Sequence, residues 1–174
     1  MREVPSSLIE SIGPEGAAAL MPHLTRRDVD QGVHIFVDGQ PTQSVVFLLS
    51  GGMEVSHVSG DKRLVLGSVQ PGAWVGEIGF IDKGPSTATV TTTEPSVLLT
   101  IDHDTLVQLT RDEPVAASAL LQRVTRMLSD RLHKSTSGLV RKLADGRYAI
   151  EPAAETQTWL SRTLAWLLGA EEAA

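Results

Sequence analysis

"VGEIGFIDKGPSTATV", residues 75–90, decides how this chain is read. After Val75 comes a Gly-Glu pair, Gly76-Glu77, then a small apolar turn, then a Thr-rich run that has β character. A segment of this shape can cradle a phosphate, because helix N-termini favour anions through their unpaired N–H groups and dipole. Its own charge balance opposes that use. Glu77 and Asp82 face Lys83 alone.

Outward from this stretch the chain is a series of short apolar and β-branched runs. They are "VHIFV" (33–37), "SVVFLLS" (44–50), "MEVSHV" (53–58), "RLVLGSV" (63–69), "TATVTTT" (87–93) and "SVLLTI" (96–101). Gly, Pro, Asp and Ser breakers separate them, as in "DGQPTQ", "SGG" and "QPGAW". Regular short strands with such punctuation predict an antiparallel β-roll or jelly roll. An immunoglobulin sandwich would need more aromatics around a core Trp. Gly39 and Gly51-Gly52 sit between strands, where positive φ is cheap only for Gly. They support the fold and carry no ligand information.

Helices flank the roll. Residues 5–22 read as one or two short helices, with Ser6 or Ser7 as the first cap and Pro14 opening the second. After Ile101, Asp102 reads as the N-cap of "HDTLVQL". Pro114 fits the first turn of a longer helix, 114 to about 134. On it Leu120, Val124, Leu128 and Leu132 form a four-spaced ridge, widened by Leu121 and Met127, while Arg123, Arg126, Asp130 and Arg131 lie mostly on other faces. Ser135–Gly138 reads as a linker. Asp145-Gly146 then stands between two alternating runs, a hairpin signal with which an extension of the long helix competes. Residues 156–168 form an amphipathic helix, with Trp159 and Trp166 in it and Gly169 as its stop. The expected organisation is a domain over 1–134 and, over 135–174, a linker, a possible hairpin and a C-terminal helix.

The composition narrows the function. The 174 residues, 41% hydrophobic, suit one domain with a real core. A formal charge of −6 argues against a general grip on DNA or on anionic membranes. With no cysteine, disulfides and thiol chemistry are excluded, and a reducing cytoplasm is the expected setting. The N-terminus has no apolar signal region, and no run approaches the roughly 20 residues that span a bilayer. No catalytic apparatus is visible. His34 and His57 are the only histidines inside the roll, neither in an H-x-H pair. His23, His103 and His133 lie outside it, and lone surface or strand histidines are the better account. We expect no enzyme, no metal and no cofactor beyond a small ligand.

Residues 32–109, from "GVHIFV" to "DTLVQL", resemble a cyclic nucleotide-binding domain. This is the sensor module of catabolite-activator-type regulators, protein kinase A regulatory subunits and nucleotide-gated channels. The likeness extends over roughly residues 5–134. It is carried by Gly32, Gly39, Gly51 and Gly72, by "VGEIGF" at 75–80 and by "PSTATV" at 85–90. The resemblance implies that Gly76 and Glu77 meet the ribose, Glu77 accepting from the 2′-hydroxyl. It implies that Ile78 and Gly79 offer N–H groups to the cyclic phosphate, with Thr87 assisting and Ala88 completing the arm. Ser86 stands where the family places a phosphate-pairing Arg.

Truncating one partner of a buried charge pair costs roughly 2–5 kcal/mol, about 30- to several-thousand-fold in affinity. Three readings follow. A cyclic nucleotide such as cyclic AMP binds, with Lys83, Arg63, Arg123 or Arg126 supplying the charge. A different ligand binds, for instance a cyclic dinucleotide. Or the chain is a ligand-free scaffold or adaptor. A basic side chain aimed between Glu77, Ser86 and the long helix would favour binding. An apolar plug would favour a scaffold.

The resemblance also implies that the long helix pairs with its twin. The Leu120–Leu121–Val124–Leu128–Leu132 face is the expected homodimer contact; the alternative is that it packs only on its own roll. In the transcription-factor branch a helix-turn-helix follows. The remaining 40 residues hold no such basic pair, so DNA binding is not expected. The tail helix, with one Arg, gives little hold on lipid. It either docks intramolecularly or recruits a protein partner through Trp159 and Trp166.

Overall fold

A computed structural model describes residues 3–59 and 62–144 of the chain. The chain divides into two compact units, Met1–Arg131 and Leu132–Ala174. The roll and its flanking helices lie in the first, except that the last helix runs past Arg131. The helices are α1 (Ser6–Ile12), α2 (Pro14–Leu20), α3 (Glu77–Asp82), α4 (His103–Asp112) and α5 (Pro114–Ala144). The strands are β1 (Thr25–Val29), β2 (His34–Phe36), β3 (Ser44–Ser50), β4 (Met53–Ser59), β5 (Lys62–Val69), β6 (Trp74–Val75), β7 (Thr89–Thr92) and β8 (Ser96–Asp102).

The strands form two four-stranded antiparallel sheets, ordered β1-β8-β3-β6 and β2-β7-β4-β5. β3 and β8 read as continuous apolar runs because both of their faces are covered. Val46, Leu48 and Leu98 pack with Phe36, Met53, Val75 and Val90 between the sheets. Their alternates Val45, Phe47, Leu99 and Ile101 pack with Leu8, Leu20, Leu106, Leu120 and Val124 from the helices. The mainly β fold with flanking helices is therefore the one expected. β5, at a sheet edge, exposes Leu64, Val65 and Leu66.

Several local expectations change. Neither Ser6 nor Ser7 caps α1; Pro5 occupies the cap without a side-chain bond. Asp102 does cap α4, accepting from Thr105 N–H at 2.7 Å. β1 and β6 were not expected. The long helix does not stop near residue 134: Ser135–Gly138 is helical, as is the backbone onward to Ala144, so the hairpin's first arm is not a strand. Its Asp145-Gly146 turn, its second arm and the helix expected over 156–168 lie outside the described residues.

The proposed dimer ridge is divided between two environments. Leu120 and Val124 are buried in the chain's own core, Leu121 and Leu128 pack against it, and Leu132 is 68% exposed. Most of that stripe is occupied by the fold itself, as four-residue ridge packing onto the roll requires.

Candidate functional site

The Gly76-Glu77 turn and residues 86–88 face one cavity. Gly76 (φ 91°) ends β6, and α3 begins at Glu77. A Cβ on Gly76 would stand 2.5 Å from the Phe36 ring and 2.8 Å from Ser44 O, so both conformation and space demand glycine there. A Cβ on Gly79 would stand 2.2 Å from Thr42 Cγ2. These contacts seat α3 against β2 and the loop before β3. The first bond of its ladder runs from Phe80 N–H to Gly76 O, leaving the Ile78 and Gly79 amides ahead of it.

The opposite arm is pinned through Ser86. Its N–H donates to Gln40 O and its carbonyl accepts from Gly39 N–H, each at 2.8 Å. Its Oγ donates to Ala88 O at 2.7 Å. Gly76, Glu77, Ile78, Gly79, Ser86, Thr87 and Ala88 all line one cavity, with Phe36, Val75 and Val90 as its apolar wall.

Glu77 is fully buried, which a carboxylate tolerates only with a partner. That partner is Arg131 of α5, whose Nη1 forms an ion pair with Glu77 Oε1. Charge and proximity make this contact rather than an aligned hydrogen bond, and Oε2 has no hydrogen-bond partner among the described residues. Arg131 also lines the cavity and is half exposed. The free volume is about 40 Å³. One water needs about 10–15 Å³ on such a measure, whereas small-molecule pockets run to about 300–1,000 Å³. With Arg131 in place the cavity has room for a few waters.

The four basic residues weighed for this role are elsewhere. Lys83 reaches Asp104 at 3.5 Å, and Arg63 pairs with Glu54. Arg126 lines a groove with Thr110 and Pro114. Arg123 is partly buried, with its Nε unpartnered among the described residues. None of the four lines the cassette cavity. Arg131 faces the cavity and not the outer faces of α5 expected for it, and a sequence signal for this exists. It follows the buried Val124 and Met127 at i+7 and i+4, so it continues the inward stripe by one turn.

His23, His34, His57 and His103 each have a local partner. His34 bonds Thr91 Oγ1 at 2.8 Å, His57 meets Asp38 at 2.5 Å, His23 meets Glu113 at 3.2 Å, and His103 bonds Phe80 O at 2.7 Å. Among the described residues no group of three or more metal-ligating side chains converges. No helix among them is long and apolar enough to cross a membrane.

Fold and cavity together define a β-roll module whose Gly-Glu turn faces a long helix. The family model for the cyclic nucleotide-binding domain matches residues 26–113, just over half of the chain. The chain belongs to that family. The CRP-like cAMP-activated global transcriptional regulator of Mycobacterium tuberculosis is 27% identical over 135 residues, 77% of this chain and 58% of that one. The crystal structure of the Thermus thermophilus catabolite activator protein superposes with a TM-score of 0.66 at 26% identity, covering 77% of this chain and 62% of that one. The c-di-GMP-responsive global regulator CLP of Xanthomonas campestris gives 0.63 at 26% identity, over 74% and 63%. This chain thus spans less than two thirds of the length of each.

Proposed function

We propose that this chain is a non-catalytic regulatory module that binds a cyclic nucleotide such as cyclic AMP in the cavity between α3, the 85–90 arm and α5. The single observation that carries this reading is the Arg131 guanidinium aimed into the cassette at Glu77. Without it, a buried carboxylate would repel a phosphate. With it, the Glu77–Arg131 pair is neutral, Glu77 Oε2 can accept a ribose hydroxyl, and the remaining guanidinium N–H groups can meet phosphate oxygens. Arg131 supplies what Ser86 lacks. The 40 Å³ of free volume means that ligand entry draws this half-exposed side chain outward, its guanidinium then bridging Glu77 and the phosphate from the rim of the cavity. Occupancy of the cavity thereby biases the helix that carries Arg131, which a partner can read. A homodimer and a cytoplasmic setting belong to the same proposal.

The small cavity favours a second reading, a ligand-free adaptor in which Arg131 permanently satisfies Glu77. The names of the relatives point to cyclic AMP and to cyclic di-GMP as probes. Calorimetric titration with cyclic AMP, cyclic GMP and cyclic di-GMP separates the two readings. Saturable one-site heat with a cyclic mononucleotide is expected. Neither heat nor a thermal shift at millimolar ligand would leave only the adaptor. Heat with cyclic di-GMP alone would move the ligand to the dinucleotide class.

A further inference from the structure

We propose that His103 positions the cassette helix, by holding the C-terminal end of α3 on the first turn of α4. The proposal rests on the ligand reading above for its consequence, though not for its geometry. α3 has six residues, too few to be stable alone. The direction of its Ile78 and Gly79 amides is therefore set by whatever grips its two ends. The N-terminal end is seated by the close fits of Gly76 and Gly79 against Phe36 and Thr42.

The other end needs a separate grip. Lys83 N–H closes the ladder on Gly79 O, while the next amide, Gly84 N–H, turns to Asp82 Oδ1 at 2.7 Å. Phe80 O is thus one of the carbonyls that the helix end cannot satisfy itself. His103 Nδ1 stands 2.7 Å from it. A carbonyl only accepts, so Nδ1 carries the hydrogen and donates. The imidazole also meets the buried Phe80 ring edge-on, with centroids 6.0 Å apart and the planes at 67°.

His103 is itself firmly based. Its N–H donates to Gln43 O at 2.8 Å, and the preceding Asp102 caps α4 and pairs with Ser44 across β3–β8. The imidazole therefore ties the cassette helix to the roll's most buried strands. The Lys83–Asp104 pair beside it is exposed and adds little. His103 does not line the cavity and acts only through Phe80.

Hydrogen exchange of the Phe80 and Lys83 amides tests the mount on the full chain. His103→Ala is expected to speed exchange at both by about tenfold, the order of one lost hydrogen bond. His103→Asn, whose Nδ2 falls close to the place of Nδ1, is expected to restore protection. His103→Gln, with its amide one carbon farther out, is not. Unchanged exchange in His103→Ala, or equal behaviour of the Asn and Gln chains, overturns the proposal. Cyclic AMP titration of the same variants then reads the consequence: affinity falls in the Ala and Gln chains and recovers in the Asn chain. If cyclic AMP fails to bind the unaltered chain, the ligand reading falls while exchange still decides the mount. If the unaltered chain binds and all variants match it, His103 does not position the site.

Discussion

Ser86 carries no charge, and its hydroxyl is already committed to Ala88 O. Whatever grips an anion here must come from another element, and Arg131 is the basic side chain that lines the cavity among the described residues. Because it is half exposed, its contribution falls short of a fully buried pair. Replacing Ser86 with Arg, at a position that lines the cavity, is expected to tighten cyclic AMP binding by about ten- to a hundredfold. It should also shrink the cost of losing Arg131, since the two guanidinium groups would share one phosphate; a double-mutant cycle measures that coupling. Unchanged affinity in Ser86→Arg would mean that residue 86 does not face the anion. The absence of a charge at residue 86 was legible in the sequence, because it stands out in a short motif. The Arg131 that we propose in its place was harder to read. The ridge Leu120–Val124–Leu128–Leu132 obscured the true inward stripe, Leu120–Val124–Met127, which runs on into Arg131.

At the scale of elements, α3 shows how tightly the cassette is built. Gly79→Ala would force a methyl to within 2.2 Å of Thr42 Cγ2 and 2.9 Å of Thr42 O. Because one of those atoms is backbone, the loop before β3 must move. We expect a loss of about 1–3 kcal/mol, read as a lower denaturant midpoint at unchanged slope. A midpoint equal to the unaltered chain's would show that this fit is loose. β3, β4 and β8 could be read within a residue or so, since buried residues pattern them; β5 was legible from its apolar and β-branched composition alone, for seven of its eight residues are exposed at the sheet edge. β1, "TRRDV", could not: four of its five residues are exposed, and its pairing with β8 rather than its composition makes it a strand. The Ser135–Gly138 run misled for a related reason. Ser, Thr and Gly are poor helix formers in isolation, yet a helix already nucleated over several turns carries through them.

At the scale of the whole molecule, the question is what reads the state of the cavity. The buried half of the α5 stripe serves the chain's own core, so a second copy is left with residues such as Leu132. The unaltered chain is expected to sediment as a dimer and Leu132→Glu as a monomer. An unaltered assembly state in that variant would remove this face from the dimer. The roll was legible because patterning and punctuation agree over six of its eight strands, β1 and β6 excepted. The cation was not, because it arrives from a helix 54 residues downstream of Glu77 and only folding brings the two together. The most direct test of the account is calorimetric titration of cyclic AMP into the unaltered chain beside Arg131→Ala. Saturable one-site binding that weakens at least about tenfold without the guanidinium is expected. Binding of equal strength in both chains would contradict it.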